Sequence, residues 1–269
     1  MSLVIIGLDG LDYGLTRALA EKGNMPVLAE LMERYSFGKL TCSVYPPYSA
    51  PAWTTIFTGL PPVEHEIISF VEADHFEREY GHLPWLWNGI PEAGVAGLPV
   101  PIPFYHQNCY PSPTPRDLAI DIPITMEEMM ASSEFFRGAT KRMIDEERPL
   151  IVTIWSAPDR AGHLYWGTPN MRYIYEGTDM ELAHLVPDLE KHTFVILSDH
   201  GMQSLAMAKR QTHLGFGLYD NEHNRGDHSQ NGIIITNAPG PLPAHTNAVY
   251  NWLQKTQVHA RLQALGYVE

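Results

Sequence analysis

Hydrophobic residues fall into short unbroken runs separated by longer stretches of helical periodicity. Leu3–Leu8, Leu150–Trp155, Phe194–Leu197 and Gly232–Thr236 are apolar at nearly every position. That is the pattern of strands buried on both faces of a parallel sheet. Gly38–Val44 alternates instead, with Leu40, Cys42 and Val44 on one side, and Ala93–Pro99 holds one further strand. Between these runs the spacing predicts helices over Leu11–Glu21, from Pro26 to about Arg34, and from Pro51 to a stop at Gly59. Further helices are predicted from about Ser133 to Glu147, capped by Ser132 or Ser133, over Met171–Leu189, and over Asn247–Leu265 with Thr246 as cap. Strands that alternate with helices predict an α/β fold, a mostly parallel central sheet covered by helices on both faces.

Length and composition narrow this picture without redirecting it. The 269 residues suit one catalytic domain spanning 1–269. Prolines crowd the region between Pro84 and Pro123, so the stretch from about 71 to 117 reads as a loop-rich insertion packing over the site. A formal net charge of −13 argues against a nucleic-acid polymer as partner, since that mode needs a basic surface. It is compatible with a small phosphate ester at a site where metal ions supply the positive charge. Cys42 and Cys109 form no metal-binding pair and no disulfide framework. The N-terminus enters a strand without a basic leader, and no apolar run reaches membrane-spanning length. The expected setting is cytoplasmic, without a membrane partner, and the sequence carries no signal for oligomeric state.

The chemistry gathers at strand ends. Leu3–Leu8 is followed by Asp9, Leu150–Trp155 is followed within a few residues by Asp159 and then His163, and Phe194–Leu197 leads to Asp199 and His200. Each residue alone has an ordinary role: an Asp after a strand is commonly a cap or turn residue, and a loop His is commonly polar surface. In a parallel sheet, however, these ends share one edge, where ligands bind in open α/β folds. Asp9, Asp159 and Asp199 can therefore converge there, joined by His163, His200, His228 and Ser49. Three carboxylates crowded together repel one another unless cations sit between them. Mixed Asp/His ligation suits two divalent ions, zinc first, with manganese or iron as alternatives. Ser49 precedes a helix opened by Pro51, so spacing alone fits an N-cap and a nucleophile equally well.

Five segments carry a resemblance. Val4-Ile-Ile-Gly-Leu-Asp-Gly-Leu-Asp12, Pro46-Pro-Tyr-Ser-Ala-Pro-Ala-Trp-Thr-Thr-Ile-Phe-Thr-Gly-Leu60 with His65 downstream, Asp159-Arg-Ala-Gly-His-Leu-Tyr-Trp166, Ser198-Asp-His-Gly-Met202 and His228-Ser-Gln-Asn-Gly-Ile-Ile-Ile235 follow one another in order. Together they resemble the type I phosphodiesterase/nucleotide pyrophosphatase branch of the alkaline phosphatase superfamily. The resemblance implies an alkaline-phosphatase-like three-layer sandwich and a two-metal phosphoric ester hydrolase acting on a small phosphate ester. It implies one ion held by Asp9, Asp199, His200 and the Ser49 oxygen, and a second held by Asp159, His163 and His228. It selects Ser49, rather than Thr54 or Thr55, as the nucleophile that becomes phosphoserine. Two positions depart from the pattern: Glu66 stands where relatives usually carry glycine, and Phe70 where nucleotide pyrophosphatases carry an oxyanion-stabilising asparagine. The same core serves phosphomonoesterases and phosphomutases, and a catalytically inactive metal-binding scaffold is the alternative outside enzymes. No Cys-x-Pro-x-Arg segment of the sulfatase kind is present, which disfavours that branch.

Overall fold

A computed structural model describes residues 2–68, 81–99, 109–110, 125–211 and 225–255. The unbroken apolar runs form the centre of a sheet. β1 (Leu3–Leu8) lies between β5 (Leu150–Trp155) and β6 (Thr193–Leu197) and is parallel to both, with Val4 opposite Ile151 and Phe194. β3 (Gly94–Ala96) pairs parallel with β5, and β4 (Cys109–Tyr110) pairs parallel with β3. On the other side β9 (Asn231–Thr236) runs antiparallel to β6, and β2 (Ser36–Thr41) antiparallel to β9. Among the described residues this gives seven strands in the order β2-β9-β6-β1-β5-β3-β4.

Both faces are covered, and the two-residue period of a strand decides which side chain meets which layer. Val4, Ile6, Leu8, Ile151, Trp155, Phe194, Ile196, Ile233 and Ile235 share one core with helical residues from α1 (Tyr13–Glu21), α2 (Pro26–Arg34), α5 (Met126–Asp145), α6 (Ala157–Tyr165) and α7 (Pro169–Ala183). Ile5, Val152, Ile154, Val195, Leu197 and Ile234 face the opposite way. They pack against α3 (Ser49–Thr58), α10 (Val249–Lys255) and the stretch carrying Trp85, Trp87 and Ile90. The described part of the loop-rich region is therefore anchored in the core: Trp85 and Trp87 stack with ring centroids 5.1 Å apart. Three layers with helices on both faces match the predicted architecture.

Several boundaries differ from the sequence reading, each for a local reason. The helix expected from Ser133 begins at Met126, because Thr125 caps it and Glu128 reaches back to the Thr125 backbone N–H at 2.8 Å. Ser132 and Ser133 lie buried inside it, and the Ser133 hydroxyl bonds the Met129 carbonyl one turn earlier. The expected strand Gly38–Val44 is shifted back to Ser36–Thr41. After it the Cys42 N–H bonds the Gln230 carbonyl, outside the ladder. The expected helix Met171–Leu189 breaks near His184, leaving α7 and a short α8 (Val186–Leu189) with Pro187 in its first turn. Thr246 is not the cap of the last helix. Its hydroxyl oxygen accepts the Ser43 N–H at 2.9 Å, and a 3₁₀ turn over Thr246–Ala248 precedes α10. The part of that expected helix beyond residue 255 lies outside the described residues, as does Phe70. A small hairpin, β7 (Gly201–Ser204) with β8 (Gly226–Ser229), stands apart from the main sheet, and α4 (Pro62–His65) and α9 (Leu205–Gln211) complete the described elements. Among the described residues no helix is long and apolar enough to cross a membrane.

Candidate metal centre

Because β5, β1 and β6 are adjacent and parallel, the loops leaving their carboxyl ends meet at one edge. Asp9 follows β1 directly. Gly10 then turns with φ 68°, and a Cβ there would lie 2.7 Å from the Asp159 Cα. The loop after β1 thus touches the backbone of the loop after β5, an approach open only to glycine. Past β5, Asp159 occupies the first turn of α6 and His163 lies one turn later, so both point from the same helix face. After β6 come Asp199 and His200, and the hairpin brings His228 back opposite Met202. Ser49 is the first residue of α3. Tyr48, not Ser49, holds the N-cap position.

All seven predicted site residues are brought together, and each is buried. They fall into two groups, Asp9 with Asp199 and His200, and Asp159 with His163 and His228, the potential donor atoms of each group lying within 4.8 Å of one another. The Ser49 hydroxyl donates to Asp9 Oδ1 at 3.1 Å and lies 3.0 Å from His200 Nε2. His200 Nε2 is also 3.4 Å from Asp9 Oδ1 and 3.3 Å from Asp199 Oδ2. In the second group Asp159 Oδ1 is 3.2 Å from His228 Nε2 and 3.5 Å from His163 Nε2, and the two Nε2 atoms face each other at 3.0 Å. The groups adjoin: His200 Nε2 is 4.0 Å from Asp159 Oδ1, and the His200 and His228 rings are 4.1 Å apart.

The charges do not settle on their own. Burial and then the charge of Asp159 push Asp9 up to about 7, against hydrogen bonds from Trp53 and Ser49. Burial, Asp9 and Asp159 likewise raise Asp199 well above the carboxylate range. Burial works to raise Asp159 too, but the charge of His163 and the contact with His228 outweigh it and hold its carboxyl low. Burial lowers His200 to about 3, and the neighbouring His228 adds to this. Burial also lowers His163, whereas for His228 the contact with Asp159 overcomes burial and raises it.

The donor set fits a pair of divalent ions. Among the described residues Asp159 Oδ1, Asp199 Oδ2 and His228 Nδ1 are buried without a hydrogen-bond partner, a costly state for polar atoms unless something else satisfies them. His200 Nδ1 lies 3.0 Å from the Gly201 carbonyl and His163 Nδ1 lies 3.3 Å from the Gly226 carbonyl. A ring that donates from Nδ1 presents a lone pair at Nε2, the usual way a backbone carbonyl prepares a metal-binding imidazole. Three carboxylates and three imidazoles, with serine beside the first group, form a mixed oxygen and nitrogen donor set that suits divalent ions.

Other expectations resolve as follows. Thr54 and Thr55 stay out of the cluster: Thr54 bonds the Ala50 carbonyl and Thr55 contacts His65 Nε2 at 3.1 Å. Two contributors were not visible as such in the sequence. Trp53, on the face of α3 that meets the sheet, donates its indole N–H to Asp9 Oδ2 at 3.0 Å. Asp12 caps α1 by accepting the Leu15 N–H, and its other oxygen accepts the Ser229 hydroxyl next to His228. A tryptophan or aspartate four or three residues from a candidate ligand was the available signal.

Similar architectures are known. The phosphonoacetate hydrolase of Sinorhizobium meliloti 1021, in complex with phosphonoformate, superposes with a TM-score of 0.55 at 21% identity over 76% of this chain and 57% of that enzyme. This chain thus spans little more than half the length of that enzyme. Murine ectonucleotide pyrophosphatase/phosphodiesterase 5 gives a TM-score of 0.65 at 13% identity, covering 96% of this chain and 95% of that one. An inactive variant of the murine protein in complex with AMP gives 0.62 at 14% identity, covering 94% of each. These likenesses show the fold. No curated protein matches the sequence significantly. The model of one family does match it, from residue 3 to residue 255. With nearly the whole chain matched, the protein belongs to the type I phosphodiesterase/nucleotide pyrophosphatase family.

Proposed function

We propose that this protein is a two-metal phosphoric ester hydrolase in which Ser49 attacks phosphorus and is transiently phosphorylated. The observation that carries the reading is the position of the Ser49 oxygen, 3.1 Å from Asp9 Oδ1 and 3.0 Å from His200 Nε2 at the start of α3. Asp9, Asp199 and His200 would hold one ion beside Ser49, and Asp159, His163 and His228 the other. Such ions, when bound, neutralise the crowded carboxylates, favour the ionised form of a nucleophile and polarise a phosphoryl oxygen.

The chain's own groups supply the rest. Asp9 Oδ1 and His200 Nε2 position the Ser49 oxygen beside the atoms that would hold the ion, and the serine proton passes to water as the ionised form is taken up. Helix α3 aims its positive end, with N–H groups of its first turn, at the region of the serine oxygen, where the phosphoryl charge develops. Burial of the whole cluster excludes bulk water during the first displacement. In that step the Ser49 oxygen–phosphorus bond forms and the ester oxygen leaves. In the second, water attacks phosphorus and the serine oxygen departs, giving net retention at phosphorus.

A small phosphorus compound is the proposed substrate, in keeping with the AMP and phosphonoformate found in the similar structures. Zinc as the resident ion, a cytoplasmic setting and one catalytic domain over the whole chain belong to the same reading. The test is a panel with metal analysis: p-nitrophenyl phosphate, bis-p-nitrophenyl phosphate, a thymidine monophosphate ester and phosphonoacetate. Turnover of either ester class with about two ions per chain supports the proposal and separates monoesterase from diesterase. Two ions with no turnover favours the inactive scaffold.

A further inference from the structure

Trp53 is fully buried on the face of α3 that meets the sheet. Its ring stacks on Phe57, with centroids 5.7 Å apart and planes at 13°. It also lies against β1 at Gly7, where a Cβ would come within 2.5 Å of the indole Cη2. The missing side chain at Gly7 is therefore the space the indole occupies. From there its N–H reaches Asp9 Oδ2 at 3.0 Å, just past the end of β1. A buried indole N–H needs a partner, and here the partner is a candidate ligand.

The geometry points to Trp53 as a positioning residue that makes Asp9 a one-oxygen donor. Oδ2 is held by the indole, and Oδ1 alone faces Ser49 and His200. This rests on the reading above, in which Asp9 is a ligand and Ser49 the nucleophile. The count gives the arrangement its point. One atom each from Asp9, Asp199 and His200 leaves the fourth place of a four-coordinate zinc for the Ser49 oxygen. A carboxylate free to turn both oxygens inward takes that place itself. Asp199 shows a parallel arrangement, with Oδ1 3.5 Å from the Gly10 N–H and Oδ2 left without a partner.

The test uses the full chain stripped of metal and titrated with Zn²⁺, alongside Trp53→Phe, which keeps an aromatic ring against Phe57 and Gly7 but removes the donor. One of the two ions should bind about 10–100-fold more weakly in the variant, as is usual when a ligand's supporting hydrogen bond is lost. The other ion should bind as in the parent. A uniform weakening of both, or no change in either, overturns the proposal. If the parent binds no zinc, the two-metal reading itself fails and the proposal falls with it. Should Trp53→Phe not fold, the parent protein still decides. The Trp53 indole N–H resonance, assigned in ¹⁵N-labelled protein, should exchange slowly with solvent and shift when the ion beside Ser49 binds. A resonance unmoved by zinc overturns the assignment.

Discussion

His163 and His228 come from segments 65 residues apart, yet their Nε2 atoms face each other at 3.0 Å. A single proton can bridge two such nitrogens, and Asp159 Oδ1 stands beside both at 3.5 and 3.2 Å. A cation satisfies all three atoms at once. Metal binding should therefore stabilise the fold. Zinc at about a thousand times its Kd adds roughly 4 kcal/mol per site, which in a chain of this size raises Tm on the order of 10 °C. Differential scanning calorimetry with zinc and with chelator checks this, and equal Tm values would remove the metal centre.

Ser49→Ala and Asp199→Asn should separate catalysis from metal binding. Ser49→Ala should cut kcat on the order of 10³-fold or more while retaining about two ions per chain, because each three-residue group remains intact. Asp199→Asn should lose metal as well as activity. Parallel kinetics and elemental analysis distinguish the outcomes, and full activity in Ser49→Ala would rule out the nucleophile assignment.

His65 should give the protein an acid sensitivity of its own. Its Nδ1 accepts the Ile67 N–H at 3.0 Å and its Nε2 is 3.1 Å from the Thr55 hydroxyl, so the buried ring is held neutral. Burial, only partly opposed by hydrogen bonding to the Pro51 carbonyl, lowers its pKa from 6.5 to about 4. Between those values the unfolded chain binds the proton and the folded chain does not. Stability is thus present above pH 6.5 and is lost as pH falls toward 4, by about 1–3 kcal/mol. Urea unfolding of His65→Gln should show a lower stability than the parent at pH 7.5 and a difference that closes by pH 4.5. A constant difference would reject the assignment.

Glu66 has φ 61° and ψ 4° at the end of α4. A non-glycine residue in this left-handed region costs roughly 1–2 kcal/mol, and glycine gives back about 0.5–1 kcal/mol through the freedom of the unfolded chain. Glu66→Gly should therefore raise stability by about 0.5–1 kcal/mol, read by urea unfolding at neutral pH. A loss of stability would mean that the Glu66 side chain contributes more than its backbone costs.

The chemistry was more legible than the scaffolding. β1, β5 and β6 are continuous apolar runs, so their ends, and Asp9, Asp159, Asp199 and His200 with them, could be placed from sequence. His228 was harder. Its hairpin pairs two four-residue strands whose partners are 22 to 28 residues apart, too short for periodicity to register. The start of α5 was hidden for another reason: two serines inside the helix imitate a cap, whereas the true signal is Thr125 with Glu128. Trp53 was legible as apolar, but the polar end of an indole finds its partner only through tertiary packing. The left-handed backbone at Glu66 supplies a physical reason for the glycine that the resemblance implies at this position.

The contact between Gly10 and Asp159 fixes the distance between the loops after β1 and β5 through backbone atoms. The two candidate metal groups are therefore mounted on one chassis of main chain. Tyr45, Tyr48, Gln203, Asp227 and Gln230 line a neighbouring cavity of about 150 Å³ beside His228; Tyr48, Gln203 and Asp227 also brace His228, whereas Tyr45 is exposed. For the proposed ester hydrolase, substitutions at Tyr45 should change which ester is accepted while the two groups keep their spacing.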